Sequence, residues 1–198
     1  MLVFAYGSLL WHPGFKPRES VGATVIGWQR RWCVQSTVHR GTEEVPGAVL
    51  GLVEGGRCSG LLYSVESCDC RKVAEYLEFR EMAEKGYRPE MIDVATSSGV
   101  VRALTYVSDP SDRLDVGPEK TLQIILRAHG VSGANVEYAA RTFQALQHLG
   151  IGLCEQEAGF PREIVMTILK TRAITRTVRT IARTIDNNGV NLPEAETA

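Results

Sequence analysis

No apolar run in the chain approaches the roughly 20 residues that a bilayer-crossing helix requires, so no membrane segment is expected. A basic excess is also missing. Lysine and arginine total 22 against 23 acidic residues, a formal net charge of -1, and a dedicated nucleic-acid surface would normally be basic. Cysteine is sparse and odd in number, at Cys33, Cys58, Cys68, Cys70 and Cys154. No even disulfide framework follows, and the five read as reduced thiols in a cytoplasmic compartment. The opening MLVFAYGSLLW lacks a basic leader and a small-residue cleavage site, so no secretory signal is expected. There is no phosphate-cradling glycine loop and no dinucleotide fingerprint. His39, His129 and His148 stand apart, and Cys68 and Cys70 have no histidine at zinc spacing. Neither a metal nor a cofactor is expected.

What the sequence does contain is ordinary globular material. Apolar residues make up 44% and charged residues 23% of 198, enough for one sizeable core and short for two. Residues 1–5 form an apolar run without helical period that meets Tyr6-Gly7-Ser8-Leu9, the pattern of a buried strand entering a glycine turn. Short apolar runs recur at 23–28, 31–37, 49–54 and 60–65, and glycines punctuate them as in a strand-rich sheet or barrel. The period then becomes helical from 69 to about 84, where Val73, Tyr76, Leu77 and Arg80 recur. Strands are expected again at 91–96 and 100–107, then helices after Pro118 and from 135 to 149. Strands and helices in separate blocks give an α+β class. Beyond Cys154, Ile164, Ile168, Ile174, Val178, Ile181 and Ile185 line a helical stripe with arginines off it, and 187–198 reads as a frayed tail.

Three places carry candidate chemistry. The Tyr6-Gly7-Ser8-Leu9 turn presents consecutive backbone N–H groups that can converge on an anion such as a carboxylate or phosphate, although turn chemistry alone favours an ordinary glycine turn. Glu81, near the end of a helix that should pack on the sheet, would be partly desolvated and so usable as a general base. Its position alone favours a surface glutamate paired with Arg80 or Lys85, since Glu75, Glu78 and Glu84 share the segment and most helix glutamates are surface groups. Arg40 precedes Gly41 and Thr42 between two strands, where a guanidinium can clamp a carboxylate or simply sit on an exposed loop.

Taken in order, Tyr6-Gly7-Ser8-Leu9-Leu10-Trp11, Gly27-Trp28-Gln29-Arg30-Arg31, His39-Arg40-Gly41-Thr42 and Pro46-Gly47 are joined by Tyr76-Leu77-Glu78-Phe79-Arg80-Glu81-Met82, Tyr87-Arg88-Pro89 and the stretch Gly130 to Tyr138. This series resembles the ChaC family of glutathione-specific γ-glutamylcyclotransferases over residues 1–153. The resemblance implies a small mixed β-barrel with flanking helices. It implies Glu81 as the catalytic general base and acid, with no cofactor and no metal. It implies substrate binding by Phe4, Ala5, Tyr6, Gly7, Ser8, Leu9, Arg40 and Tyr87. Ala5 stands where the family commonly has glycine, and residues 154–198 are read as a helical extension and tail outside the resemblance. The implied substrate is reduced glutathione, whose γ-glutamyl amine closes on its own side-chain amide to give 5-oxoproline and cysteinylglycine. Turnover of other γ-glutamyl amino acids or amines, and a non-catalytic module binding a γ-glutamyl metabolite, are the neighbouring readings. Oligomeric state stays open.

Overall fold

The computed structural model describes residues 1–82 and 85–173. Five strands close into a barrel in the order β1-β3-β2-β4-β5. They are β1 (Leu2–Ala5), β2 (Glu19–Ser36), β3 (Gly47–Ser64), β4 (Tyr87–Thr96) and β5 (Gly99–Ser108). Consecutive long strands pair antiparallel, and the barrel closes where Val3 of β1 lies parallel to Leu104 of β5. The barrel is therefore mixed. Closure leaves no open sheet edge to be protected.

The four short strands expected over residues 23–65 are two strands of eighteen residues each. Their glycines bend the ladder instead of ending it. Gly27 adopts a positive φ beside the register shift between Ile26 and Trp28, and Gly55 and Gly56 do so within β3. A glycine can take that conformation as a bulge while the strands continue to pair on either side.

The flanking helices are α1 (Cys70–Glu81), α2 (Gly117–Arg127), α3 (Asn135–His148) and the short α4 (Glu155–Ala158). Residues 162–173 are helical as well. Between α2 and α3 lies a two-stranded ribbon, β6 (His129–Gly130) and β7 (Gly133–Ala134). No helix among the described residues is long and apolar enough to cross a membrane.

Strand alternation divides β1 between two cores. Phe4 joins Val25, Leu50, Leu52, Tyr138 and Phe143 in the main cluster, whereas Val3 and Ala5 join Val73 and Leu77 of α1 in the second. The beginning of the segment after Cys154 packs into the main cluster through Ala158, Phe160, Ile164, Val165 and Ile168. The rest of the expected stripe (Ile174, Val178, Ile181 and Ile185) and the tail lie outside the described residues.

Candidate active site

A narrow cavity opens where β1 ends. Its wall is Phe4, Tyr6, Gly7, Ser8, Leu9, Leu50, Glu81, Tyr87, Thr105, Tyr106 and Tyr138. After Tyr6 the chain leaves the barrel and turns through a single 3₁₀ turn, Ser8–Leu10, in which the Leu10 N–H donates to the Gly7 carbonyl at 3.0 Å. A Cβ added to Gly7 would sit 3.6 Å from the Tyr138 hydroxyl and 3.9 Å from the Leu50 Cβ. Both belong to the wall, so the bare Gly7 Cα helps keep the cavity open.

Glu81 reaches this cavity because of its place on α1. Val73, Leu77 and Glu81 follow one another at i+4, the spacing of one helix face, and Val73 and Leu77 are buried. Glu75 and Glu78 fall on other faces and are exposed. The Glu81 side chain keeps 15% of its surface exposed. Loss of water raises its carboxyl above the ordinary glutamate value, and the Arg80 guanidinium pulls the other way. Standing at the C-terminal end of α1, it also faces the negative end of the helix dipole, which disfavours an anion.

Arg80 joins the carboxylate to the turn. Its Nε lies 3.2 Å from Glu81 Oε1, and its Nη2 donates to Ser8 Oγ at 2.9 Å. The remaining terminal nitrogen donates to the His12 carbonyl and the Tyr76 hydroxyl, both at 2.7 Å. Of the two partners weighed for Glu81, Arg80 is the one it meets.

Four tyrosines complete the wall. Tyr6 donates to the Tyr106 carbonyl at 2.8 Å, Tyr87 donates to the Leu50 carbonyl, and the Leu50 N–H donates to the Tyr138 hydroxyl at 3.3 Å. Burial pushes the Tyr106 and Tyr138 phenols up to about 12, and the nearby Glu81 charge adds to the effect. Tyr6 and Tyr87 are raised well above the usual phenol range for the same reasons. All four therefore stay protonated near neutral pH. Glu81 is the carboxylate of this wall, and so its available base.

The structure brings Phe4, Tyr6, Gly7, Ser8, Leu9, Glu81 and Tyr87 into one cavity and leaves Ala5 and Arg40 out of its lining. Ala5 points to the opposite face of β1, into the cluster beneath α1. Arg40 donates to the Ser132 carbonyl at 2.6 Å and the Ala134 carbonyl at 3.4 Å, with its guanidinium 5.6 Å from the Tyr138 ring centre. It braces the wall from behind. Tyr106, Tyr138, Thr105 and Arg80 were not singled out from the sequence as site residues. Arg80 carries a readable signal, standing four residues after Tyr76 and directly before Glu81, and Tyr138 closes the Gly130 to Tyr138 stretch of the series. Thr105 and Tyr106 arrive with β5 when the barrel closes, and Tyr138 arrives with α3 packed on β3. A larger, more open cleft runs between Gln29, Arg31, Leu114, Pro118 and Pro161. Its carboxylate, Asp115, is largely exposed and lies 3.6 Å from Arg31, so no desolvated base faces it. Among the described residues no three His, Cys, Asp or Glu side chains converge as a metal site would need.

The family model for ChaC-like proteins matches residues 1–167. The chain belongs to that family. The match runs past residue 153, into the segment that packs on the barrel. Among curated relatives, the glutathione-specific γ-glutamylcyclotransferase of Escherichia coli is 33% identical over 153 residues, covering 75% of this chain and 66% of the relative. The glutathione-specific γ-glutamylcyclotransferase 1 of Danio rerio is 34% identical over 147 residues, covering 70% of this chain and 75% of the relative. Among solved structures, a yeast γ-glutamyl cyclotransferase specific to glutathione superposes with a TM-score of 0.73 at 23% identity, covering 86% of this chain and 94% of the other. At that identity the likeness establishes the fold, the closed barrel with flanking helices found here.

Proposed function

We propose that this ChaC-like protein is a γ-glutamylcyclotransferase that converts reduced glutathione to 5-oxoproline and cysteinylglycine in a reducing, cytoplasmic compartment. One observation carries the reading: a desolvated carboxylate, Glu81, faces the same narrow cavity as the backbone of residues 6–9. The curated relatives named for this activity support it.

Glutathione brings its own nucleophile. Attack of the γ-glutamyl α-amine on the γ-carbonyl carbon forms one C–N bond and breaks the amide C–N bond, closing a five-membered lactam. Water is not consumed. The α-amine is an ammonium at neutral pH and must lose a proton before it can attack, and the departing cysteinylglycine nitrogen must gain one. Glu81 serves as acceptor first and donor second, and a pKa raised toward neutrality suits both halves. Backbone N–H groups of residues 6–9 hold the α-carboxylate or the polarised carbonyl, in a site poor in competing water. The tyrosine wall bends the flexible chain into ring-closing geometry, and such orientation is worth on the order of 7–11 kcal/mol of barrier. None of these steps needs a cofactor.

Incubating purified protein with reduced glutathione tests the reading. Release of equimolar 5-oxoproline and cysteinylglycine is expected, with γ-glutamylalanine turned over more slowly or not at all under the same conditions. Absence of both products overturns the proposal, and faster turnover of γ-glutamylalanine overturns its specificity.

A further inference from the structure

Arg30 is 1% exposed and stands among the largest fully buried side chains in the molecule. A guanidinium so far from water must satisfy its donors internally. Its Nε donates to the Tyr6 carbonyl at 2.7 Å, its Nη1 donates to Glu157 Oε2 at 2.8 Å and to the Glu157 carbonyl at 3.0 Å, and its Nη2 donates to the Ser59 carbonyl. Glu157 is 3% exposed. Its Oε2 also accepts the Ser59 N–H at 3.0 Å, and its Oε1 accepts the Ser59 hydroxyl at 2.7 Å, with Arg57 Nε 3.6 Å away. Although burial alone would raise it, the Ser59 amide and hydroxyl together with Arg30 hold the Glu157 carboxyl below the ordinary value. The Glu157 carboxylate therefore stays ionised at neutral pH.

We infer that Glu157 and Arg30 are positioning residues of the candidate active site, fixing the Tyr6–Gly7 peptide so that the Gly7 N–H faces the cavity. In a trans peptide the C=O and the following N–H point in opposite directions, and the described chain contains no cis peptide. Holding the Tyr6 carbonyl on Arg30 therefore sets the direction of the Gly7 N–H. Gly7 lies in the cavity wall. A buried ion pair adds little to stability compared with apolar residues of similar volume, but its planar, two-pronged geometry constrains direction. A second route runs from the same turn. Trp32 donates its indole N–H to the Ala158 carbonyl at 2.9 Å, stacks on Phe160 with centroids 5.1 Å apart, and meets Tyr138 edge-on at 5.7 Å. Residues 157–160 thus back the cavity on the turn and on the Tyr138 wall.

The inference rests on the proposed cyclotransferase reading, and the experiment separates the two. Wild-type, Glu157→Gln and Ser59→Ala full-length proteins are compared well below the melting temperature of each, with reduced glutathione as substrate. Glu157→Gln is expected to lose up to about 10²-fold in kcat/KM, with KM rising and the acid limb of the pH profile unmoved. Ser59→Ala, which removes one bond to the carboxylate, should lose less in the same sense. The amide ¹H–¹⁵N signal of Gly7 should shift in both variants. Lowered melting with wild-type kinetics and an unmoved Gly7 signal overturns the inference. If Glu157→Gln does not fold, wild-type kinetics and an unmoved Gly7 signal in Ser59→Ala do so alone. A wild-type protein that releases no 5-oxoproline overturns the functional reading instead, and the Gly7 signal still decides whether Glu157 orients the turn.

Discussion

Glu81 differs from Glu75 and Glu78 in the face of α1 on which it falls, and that face decides what its carboxylate can do. Glu81→Gln keeps shape and hydrogen-bonding reach but cannot accept a proton, so turnover should fall by about 10²–10⁴-fold. Glu75→Gln and Glu78→Gln, exposed on the same helix, should keep near wild-type kcat, and steady-state assays of the three variants check this. The acid limb of activity should lie above the ordinary glutamate range, because burial raises the Glu81 pKa and the ionised form is the one that works. Arg80 opposes that rise, so Arg80→Met should move the limb to still higher pH and Arg80→Lys should move it less. The phenols of Tyr6, Tyr87, Tyr106 and Tyr138 face the same carboxylate but stay neutral through this range. A kcat/KM profile from pH 4 to 9 reads the shift, and an unmoved limb in Arg80→Met would remove Arg80 from the tuning of the base.

Among the elements, α3 and β3 are locked by one side chain. Asn135 is fully buried; its Nδ2 donates to the Ala48 carbonyl at 2.9 Å and its Oδ1 accepts the Ala48 N–H at 2.8 Å. The amide thus pairs with β3 as a neighbouring strand would. Gly47 lies so close that an added Cβ would fall 2.4 Å from the Arg40 carbonyl oxygen, so only glycine lets the segment around Arg40 pass over it. The Arg40-Gly41 and Pro46-Gly47 pieces of the sequence series are explained by this crossing. Asn135→Ala leaves both Ala48 groups buried without partners, a cost of about 1–3 kcal/mol for each. Thermal unfolding should show the loss, and the Tyr138 wall three residues on should loosen, so KM for glutathione should rise as well.

At the level of the whole molecule, residues 158–168 belong energetically to the barrel. Phe160 is 1% exposed and stacked on Trp32, so Phe160→Ala should cost about 3–5 kcal/mol. A chain ending before Pro161 loses the buried Ile164, Val165 and Ile168, each worth about 1.5–3 kcal/mol of burial. It should melt far lower or fail to fold, as calorimetry would record. A truncated chain that melts like the full one would mean these side chains gain nothing from the contact.

Turn glycines, strand composition and helix period are local properties, so they were sufficient for the α+β class, while the family and the choice of a barrel over an open sheet came from the resemblance carried by the ordered residue series. Helix α1 was legible for the same reason, whereas Glu81 stood out from Glu75 and Glu78 only through the family resemblance, its position alone favouring a surface group. Strand length was not. Whether a glycine ends a strand or bulges it depends on whether a partner continues to pair, and only the closed ladder of β2 and β3 settles that. The cavity wall was equally out of reach. Tyr6, Tyr87 and Tyr106 come from separate segments that barrel closure brings together, Tyr138 comes from α3 packed against β3, and the carboxylate paired with Arg30 arrives from residue 157. Desolvation, which raises the Glu81 carboxyl and leaves Arg30 dependent on internal acceptors such as Glu157, is a property of the surroundings, and the surroundings exist only once the chain has folded.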